Sequence, residues 1–299
     1  MVALRPLLIS ALAVTLAGCA GSTERPGFGD ETQAPAGNEP ETPAPAATGD
    51  FGNEPTPPAP EPPEVHEVYG HSATTLYKLE PATKAVTVVG DFKQCESIID
   101  IALDEKSTLY AVSYDTLYTV DKKTATCTEL QSGKFPNSLS FVPKGALDPN
   151  EEALVGYEGG DYVRIDVTNG SRSVLGKLDS TGKLISSGDI VSVKGGKTYL
   201  TVKGNKGSGC DQTDCLVEVD PQTGKMLKNW GSIEHQKVFG LSFWGGKLYG
   251  FDEQGNLFEV VFGSNKVVTT TIPIPQKPAG LSFWGAGSST SAPLVADPQ

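Results

Sequence analysis

The chain has 299 residues, with 24 lysines and arginines against 36 acids, and its formal net charge is −12 at pH 7. It contains no run of lysine or arginine, so binding to nucleic acid and charge-driven attachment to anionic lipid are both disfavoured.

The first 18 residues have the features of a bacterial secretion signal. One cation, Arg5, precedes an apolar run from Leu7 to Leu16, which is shorter than the roughly 20 residues needed to span a bilayer. The run ends in Leu16-Ala17-Gly18-Cys19, which resembles the lipobox of bacterial lipoproteins. The resemblance implies cleavage before Cys19, lipidation of that cysteine, and sorting to the outer membrane, because Ala20 and not aspartate follows. The alternative is an ordinary signal peptide that ends near a cysteine.

Residues 19–64 are predicted to be the lipidated cysteine and a disordered tether. From Ala20 to Glu64 there are eleven prolines and nine acids against one base, Arg25, and such a composition buries too little apolar surface to fold. Its upper length is about 140 Å, at ~3.1 Å per residue. We expect a passive spacer, with docking of the proline-rich stretch on a partner as the alternative. Arg5 contributes +1 and the tether −8, so −5 remains on residues 65–299.

Residues 65–299 are predicted to form one all-β domain built from repeats. The hexapeptide Gly-Leu-Ser-Phe-Trp-Gly occurs at Gly240–Gly245 and again at Gly280–Gly285, and verbatim recurrence indicates a repeat array. A predicted outer hairpin recurs five times, with first strands starting near residues 76, 117, 162, 216 and 257. Each first strand runs into a polar turn of the kind that tight hairpins require.

A second, inner hairpin is predicted between successive outer hairpins. Its first strands alternate large apolar residues with serine or alanine, which suits strands that crowd around an axis. These first strands are Asp100–Leu103, Ser138–Phe141, Ile190–Val193, Gly240–Phe243 and Gly280–Phe283. The returning strands are residues 109–112, 154–157, 198–201 and 248–251.

Four strands per period of 41 to 54 residues predict a five-bladed β-propeller. The chain begins with an outer hairpin at residues 75–89 and ends with an inner strand at residues 279–284, so the two ends should complete one blade and close the ring. The fifth returning strand would fall in Gly287–Val295, which is a poor strand, and we expect only three good strands in that blade. A β-sandwich is the alternative, because strand spacing alone does not exclude it.

The segment Val219-Asp220-Pro221-Gln222-Thr223-Gly224-Lys225 and the alternating Leu-Tyr strands resemble bacterial β-propeller repeats of the quinoprotein-like, YVTN and NHL kinds. The resemblance covers most of residues 68–285. It implies the propeller fold and brings no functional residues with it. Quinoprotein dehydrogenases of this type usually have eight blades and a calcium-binding acid, and this chain is too short for eight.

Four cysteines remain after Cys19, and an even number in an exported chain predicts disulfides. Cys210 and Cys215 are the natural local pair, which leaves Cys95 and Cys127 to join each other. The second pairing conflicts with the predicted strands, which put these two cysteines at opposite ends of a blade. A zinc site is the disfavoured alternative, since there are no close Cys-x-x-Cys pairs.

Asp100 and Asp189 are the candidate catalytic residues, since both stand at the entrance of an inner strand. Two carboxyl groups near one axis could act as the acid and base of a glycoside hydrolase. The alternative is that they cap strand ends or bind water. The three histidines, His66, His71 and His235, offer little for a catalytic triad, because the first two flank the end of the tether.

The loops that follow the returning strands should share one face with the entrances of the inner strands. This face could recognise a basic or sugar-bearing partner, or it is solvated loop surface. The candidate binding residues on it are Tyr114, Asp115, Glu158, Asp161, Asp211, Asp214, Asp252 and Glu253. Asp211 and Asp214 could hold Ca²⁺, although a disulfide-closed loop explains them without a metal, and we expect no other cofactor.

The sequence therefore favours a binding or scaffold module for a protein or glycan partner, without enzymatic activity. We expect it on the outer membrane of a Gram-negative-type bacterium, facing the periplasm or the exterior. A carbohydrate-active enzyme is the alternative. The sequence does not identify the ligand or the oligomeric state.

Overall fold

The computed structural model describes residues 66–295. The predicted signal peptide, Cys19 and the tether lie outside the described residues. In the described part, no helix is long and apolar enough to cross a membrane.

In residues 66–295, twenty β-strands form five four-stranded antiparallel sheets, which are the blades of a five-bladed propeller. The predicted fold is confirmed. The first strands in the chain are β1 (Val68–His71), β2 (Thr75–Glu80) and β3 (Ala85–Asp91). Blade 1 contains β4 (Asp100–Leu103), β5 (Leu109–Val112), β6 (Thr116–Asp121) and β7 (Thr126–Ser132). Blade 2 contains β8 (Leu139–Val142), β9 (Ala153–Glu158), β10 (Asp161–Ile165) and β11 (Arg172–Lys177).

The other blades follow the same order. Blade 3 contains β12 (Leu184–Ser192), β13 (Thr198–Gly204), β14 (Cys215–Val219) and β15 (Met226–Ser232). Blade 4 contains β16 (Val238–Trp244), β17 (Lys247–Asp252), β18 (Leu257–Phe262) and β19 (Val267–Ile272). The closing blade joins β20 (Gly285–Ser288) to β1, β2 and β3. We call the face at which the innermost strands begin the top face, and the opposite one the bottom face.

The closing blade has four strands, so the prediction of three good ones was wrong. Its returning strand is β1, which precedes the first predicted hairpin, and Val68 pairs with Ser288 while His71 pairs with Gly285. In the other blades the returning strand follows the inner strand in the chain, and on that order it was expected at Gly287–Val295. Here the missing strand comes from the other end of the domain.

The two copies of the hexapeptide have different structures, which corrects the prediction of a strand at Gly280–Phe283. Residues 240–244 of the first copy lie in β16, whereas residues 280–284 of the second copy form an irregular segment before β20. Leu281 and Phe283 are buried between blade 4 and the closing blade, and the Phe283 ring lies 5.0 Å from that of Phe251. Burying a phenylalanine side chain stabilises a fold by about 1.5–3 kcal/mol, so packing determines the path of the second copy.

Residues beyond β20 cross the bottom face and are not the predicted strand. The Thr290 carbonyl accepts a hydrogen bond from Lys194 N (2.8 Å), and the Pro293 carbonyl accepts one from Gly246 N (3.2 Å). A Cβ on Gly196 would lie 3.1 Å from the Leu294 side chain. This segment therefore closes the bottom of the ring over the two Gly-Gly turns of blades 3 and 4.

The hydrophobic core consists of five clusters, one at each interface between neighbouring blades. The segment that resembles known propeller repeats contributes to one interface. Its turn is fixed by Asp220, whose Oδ1 accepts a hydrogen bond from Gln222 N (2.8 Å), and by Gly224, which has φ = 67°. Tyr157 and Tyr162 of blade 2 donate hydrogen bonds to the carbonyls of Gly224 (2.5 Å) and Pro221 (2.9 Å). The motif therefore packs one blade on the next.

Both predicted disulfides, Cys95–Cys127 and Cys210–Cys215, are present. The conflict over Cys95 disappears because β-sheets twist, so the segment after β3 lies against the turn that precedes β7. Lys93 N donates to the Ala125 carbonyl (3.0 Å), and Cys127 N donates to the Lys93 carbonyl (2.9 Å).

Candidate functional site

A ring of five equivalent residues surrounds the propeller axis at the top of the innermost strands. We call it the axial ring; its members are Asp100, Ser138, Asp189, Gly240 and Gly285. Gly285, the last residue of the second hexapeptide, therefore occupies the place that Gly240 has in the first. Asp100, Ser138 and Asp189 are fully buried.

Asp100 and Asp189 form what we call the axial carboxyl pair, since their carboxyl groups are hydrogen-bonded to each other. Each also joins its own strand to the innermost strand of the next blade. Asp100 accepts hydrogen bonds from the backbone N–H groups of Ile101 (2.8 Å) and Leu139 (2.7 Å). Asp189 accepts them from Ile190 (2.7 Å) and Leu241 (2.6 Å). Asp189 also accepts a hydrogen bond from the backbone N–H of Ala286 in the closing blade, so the pair connects all five blades at the axis.

Burial raises the pKa of both members of the axial carboxyl pair well above the usual value, and the charge of Asp189 raises that of Asp100 further. The backbone N–H groups lower both pKa values but do not offset burial. Because two adjacent buried carboxylates cannot both ionise readily, the pair shares a proton. Glycosidase carboxyl groups are about 5–9.5 Å apart, whereas these are in direct contact and inaccessible, so the geometry does not fit that chemistry.

His71 lies beside the axial carboxyl pair, near Asp100 and Gly285. From the sequence it was expected only at the end of the tether. It is fully buried, its Nδ1 donates to the Ser72 carbonyl (2.9 Å), and its Nε2 has no hydrogen-bond partner among residues 66–295. Burial lowers the pKa of His71 to about 4, so it is neutral at pH 7. A Cβ on Gly285 would lie 2.4 Å from this Nε2 and 2.3 Å from Asp100 Oδ1. Glycine is therefore required at position 285.

A pocket of about 240 Å³, which we call the axial pocket, opens on the top face above the axial ring. One residue from each blade lines it, immediately before the axial ring: Ile99, Asn137, Gly188, Phe239 and Trp284. Tyr114 and Glu253 complete it from the loops after β5 and β17. Tyr114 is 67% exposed and Trp284 is 41% exposed, so two aromatic rings are available to a ligand.

Two of the eight candidate binding residues, Tyr114 and Glu253, line the axial pocket, and two others are buried. Asp214 Oδ2 accepts a hydrogen bond from Val238 N (2.8 Å), and burial raises its pKa. Asp252 is 2.9 Å from Nδ1 of His235, whose ring stacks on Phe258. Burial raises the pKa of Asp252, but hydrogen bonds from His235 and Asn256 more than offset it, and the pKa is lowered. Both aspartates hold loops in place.

The remaining acids of this face already have partners. Asp115 accepts a hydrogen bond from Ser113 Oγ (2.7 Å), and Asp211 accepts one from Gly207 N (3.1 Å). The ion pairs are Glu158 with Arg172 (2.8 Å), Asp161 with Lys177, and Glu253 with Lys237 (2.5 Å). Calcium binding at Asp211 and Asp214 remains a prediction. The face is less acidic than its sequence suggested.

Each disulfide borders a cleft beside the axial pocket. One cleft, of about 760 Å³, contains Cys95 and shares Tyr114 with the axial pocket. The other, of about 280 Å³, contains Cys210 and reaches Lys237. Disulfides restrict the loops that carry them, so the top face is held in shape before any ligand arrives. A fourth cleft, of about 520 Å³ beside Phe141 and Arg164, lies away from the axis.

No family model and no curated protein matches the chain. Among solved structures, hydrazine synthase of Kuenenia stuttgartiensis aligns with 67% of this chain and 60% of its own, at 12% identity and a TM-score of 0.36. A chain of a nidogen/laminin complex aligns over 76% of this chain and 100% of its own, at 13% identity and a TM-score of 0.45. A gluconolactonase of Xanthomonas campestris aligns over 71% and 75%, at 13% identity and a TM-score of 0.43. These likenesses carry no argument about function.

Proposed function

We propose that this chain is a lipid-anchored envelope protein whose propeller binds a protein or glycan partner at the axial pocket and catalyses no reaction. The observation that carries the proposal is the exposure of Tyr114 and Trp284 around one pocket. Aromatic side chains that cluster in a pocket are the usual centres of binding energy in interfaces.

The rigidity of the top face supports recognition. Five blades contribute one residue each to the pocket, and the axial carboxyl pair holds the strands beneath it. A preformed site avoids the ordering cost of binding. The face therefore suits a partner that docks without rearrangement.

The described part of the chain begins on the bottom face, opposite the axial pocket. His66, the first described residue, contacts Trp244 at the bottom end of β16 (ring centroids 5.8 Å apart). The axial pocket opens on the other face. Acyl chains on Cys19 would anchor the protein, with two or three chains giving durable attachment. On this proposal the protein lies at the outer membrane, on its periplasmic or external side.

The enzymatic alternative has less support. Its candidate residues, Asp100 and Asp189, are fully buried and bonded to each other and to five backbone N–H groups. A substrate in the axial pocket would meet Ile99 and Gly188 before it reached either carboxyl group.

Photo-crosslinking in intact cells tests the binding proposal. A photoreactive residue at the exposed Asn137 position should capture a partner, and one at the exposed Val174, on the outer strand of blade 2, should not. Identical products at the two positions would contradict binding at the axis. The Cys19→Ala change should move the protein from the membrane to the soluble fraction, and retention in the membrane would contradict the lipid anchor.

A further inference from the structure

We infer that the axial pocket receives one basic side chain, a lysine or an arginine, of a protein partner. The inference rests on the binding function proposed above and names the group that is bound.

The size of the pocket limits what can enter. Its volume of about 240 Å³ lies below the ~300–1,000 Å³ of sites that enclose a whole small-molecule ligand. The bottom face is closed by residues 289–295, so a ligand enters only from the top. The site therefore fits one protruding group of a larger partner.

The chemistry of the lining favours a cation. Three aromatic side chains, Tyr114, Phe239 and Trp284, come from three different blades, and no described residue that lines the pocket is basic. A lysine ammonium or arginine guanidinium is attracted to the faces of aromatic rings, most strongly to tryptophan. An aliphatic side chain would also bury apolar surface here, but it would gain nothing from the ring electrostatics.

Carboxyl groups lie on two sides of the pocket. The axial carboxyl pair is directly below, since Ile99 and Gly188 of the lining precede its two members in the chain. Glu253 stands at the rim, where its ion pair with Lys237 involves two partly exposed side chains. Such exposed pairs contribute only about 0–1 kcal/mol, so an incoming base can replace Lys237 at small cost. The arrangement disfavours an acidic ligand group.

Glu158 and Asp161, in the outer part of the face, already have basic partners, so these two acids add little attraction for a broadly basic surface. The partner should present a single lysine or arginine from a surface that is otherwise not basic.

The test uses the purified full chain and follows the indole N–H signals of its three tryptophans by NMR. The probes are a five-residue glycine peptide with a central lysine and blocked ends, the same peptide with uncharged norleucine in place of lysine, tetramethylammonium chloride, and N-acetylglucosamine. The lysine peptide and tetramethylammonium should shift the Trp284 signal and saturate. The norleucine peptide and the sugar should not.

Variants complete the test. Trp284→Ala and Tyr114→Leu should each weaken binding of the lysine peptide about fivefold or more, as expected for loss of a cation–π contact. Tyr114 is largely exposed, so its change does not threaten folding. The matched control is Trp244→Ala, which changes the tryptophan of the other hexapeptide copy on the bottom face and should leave binding unchanged.

The outcomes separate this inference from the binding function. Equal binding of the norleucine peptide, or binding of the sugar without the cations, overturns the choice of a basic group and leaves a binding site at the axis. The same holds if no probe binds while crosslinking at Asn137 still captures a partner. Failure of both the probes and the crosslinking overturns the binding function itself.

Discussion

Replacing Gly285 by alanine should destabilise the propeller strongly. The added Cβ would lie 2.3 Å from Asp100 Oδ1 and 2.4 Å from His71 Nε2. Both side chains are fully buried, so neither can move into solvent.

The magnitude follows from two effects. Overpacking a well-filled site by one methyl group costs about 1–3 kcal/mol. Displacing Asp100 also breaks its hydrogen bond from Ile101 N (2.8 Å), and such bonds to charged groups contribute about 1.5–3 kcal/mol. A loss of about 4 kcal/mol is therefore expected. For a domain of this size the melting temperature should fall by about 8–16 °C.

Thermal unfolding followed by circular dichroism measures this change, and Gly280→Ala is the matched control. If the second hexapeptide were an inner strand like the first, Gly280 would face the axis. In the structure a Cβ on Gly280 meets nothing within 4 Å, and only its φ of 71° opposes alanine, at about 1–2 kcal/mol. A larger loss for Gly280→Ala than for Gly285→Ala would refute the register described here.

Three further predictions concern stability. Folding raises the pKa values of the axial carboxyl pair above the unfolded value of about 3.9. The shared proton therefore stabilises the folded state fully below about pH 3.9, and this stabilisation is lost as the pH rises through the folded pKa. As pH rises above about 3.9, the wild type should lose stability more steeply than the Asp189→Asn variant, in which the repulsion between carboxylates is absent, and equal slopes would contradict the shared proton. Replacing both Cys95 and Cys127 by serine should lower the free energy of unfolding, measured by urea denaturation, by about 4 kcal/mol, against about 2 kcal/mol for replacing Cys210 and Cys215. The difference is expected because the two loops span 32 and 5 residues. The reverse order would contradict the chain-entropy reasoning. Leu294→Ala should lower the free energy of unfolding by about 1 kcal/mol, because this side chain is 42% exposed and partly packed on the bottom face. Val295 is 75% exposed, so Val295→Ala should leave the free energy of unfolding unchanged. Equal effects of the two changes would show that the segment is not packed there.

The hairpins within blades could be predicted from the sequence because their signals are local. The inner strand Asp100–Leu103 has the predicted bounds, and the outer strand Thr116–Asp121 begins within one residue of its predicted start, since turn residues and alternating apolar residues mark these strands. The closing strand could not be predicted in this way. Gly285–Ser288 has almost no side chains to form a pattern, and its partner Val68 is far away in the chain.

The axial positions of Asp100 and Asp189 followed from the alignment of repeats, and the structure brings the two together. His71, Phe239 and Trp284 were missed as site residues. The residue immediately before each axial-ring residue was the available signal, because that position lines the pocket in every blade. For Trp284 the signal was hidden, since the hexapeptide placed it at the end of a strand and not before one.

The pairing of β1 with β20 has a consequence for how the chain folds. Val68 and Ser288 are separated by most of the domain, and closing a long loop carries an entropic cost before any contact is gained. Contacts of this kind form slowly. Until residues 285–288 have been made and have found β1, that strand keeps one hydrogen-bonding edge open, and an open edge can pair with another chain. Products clipped or terminated before Gly285 should therefore aggregate, even though four complete blades remain.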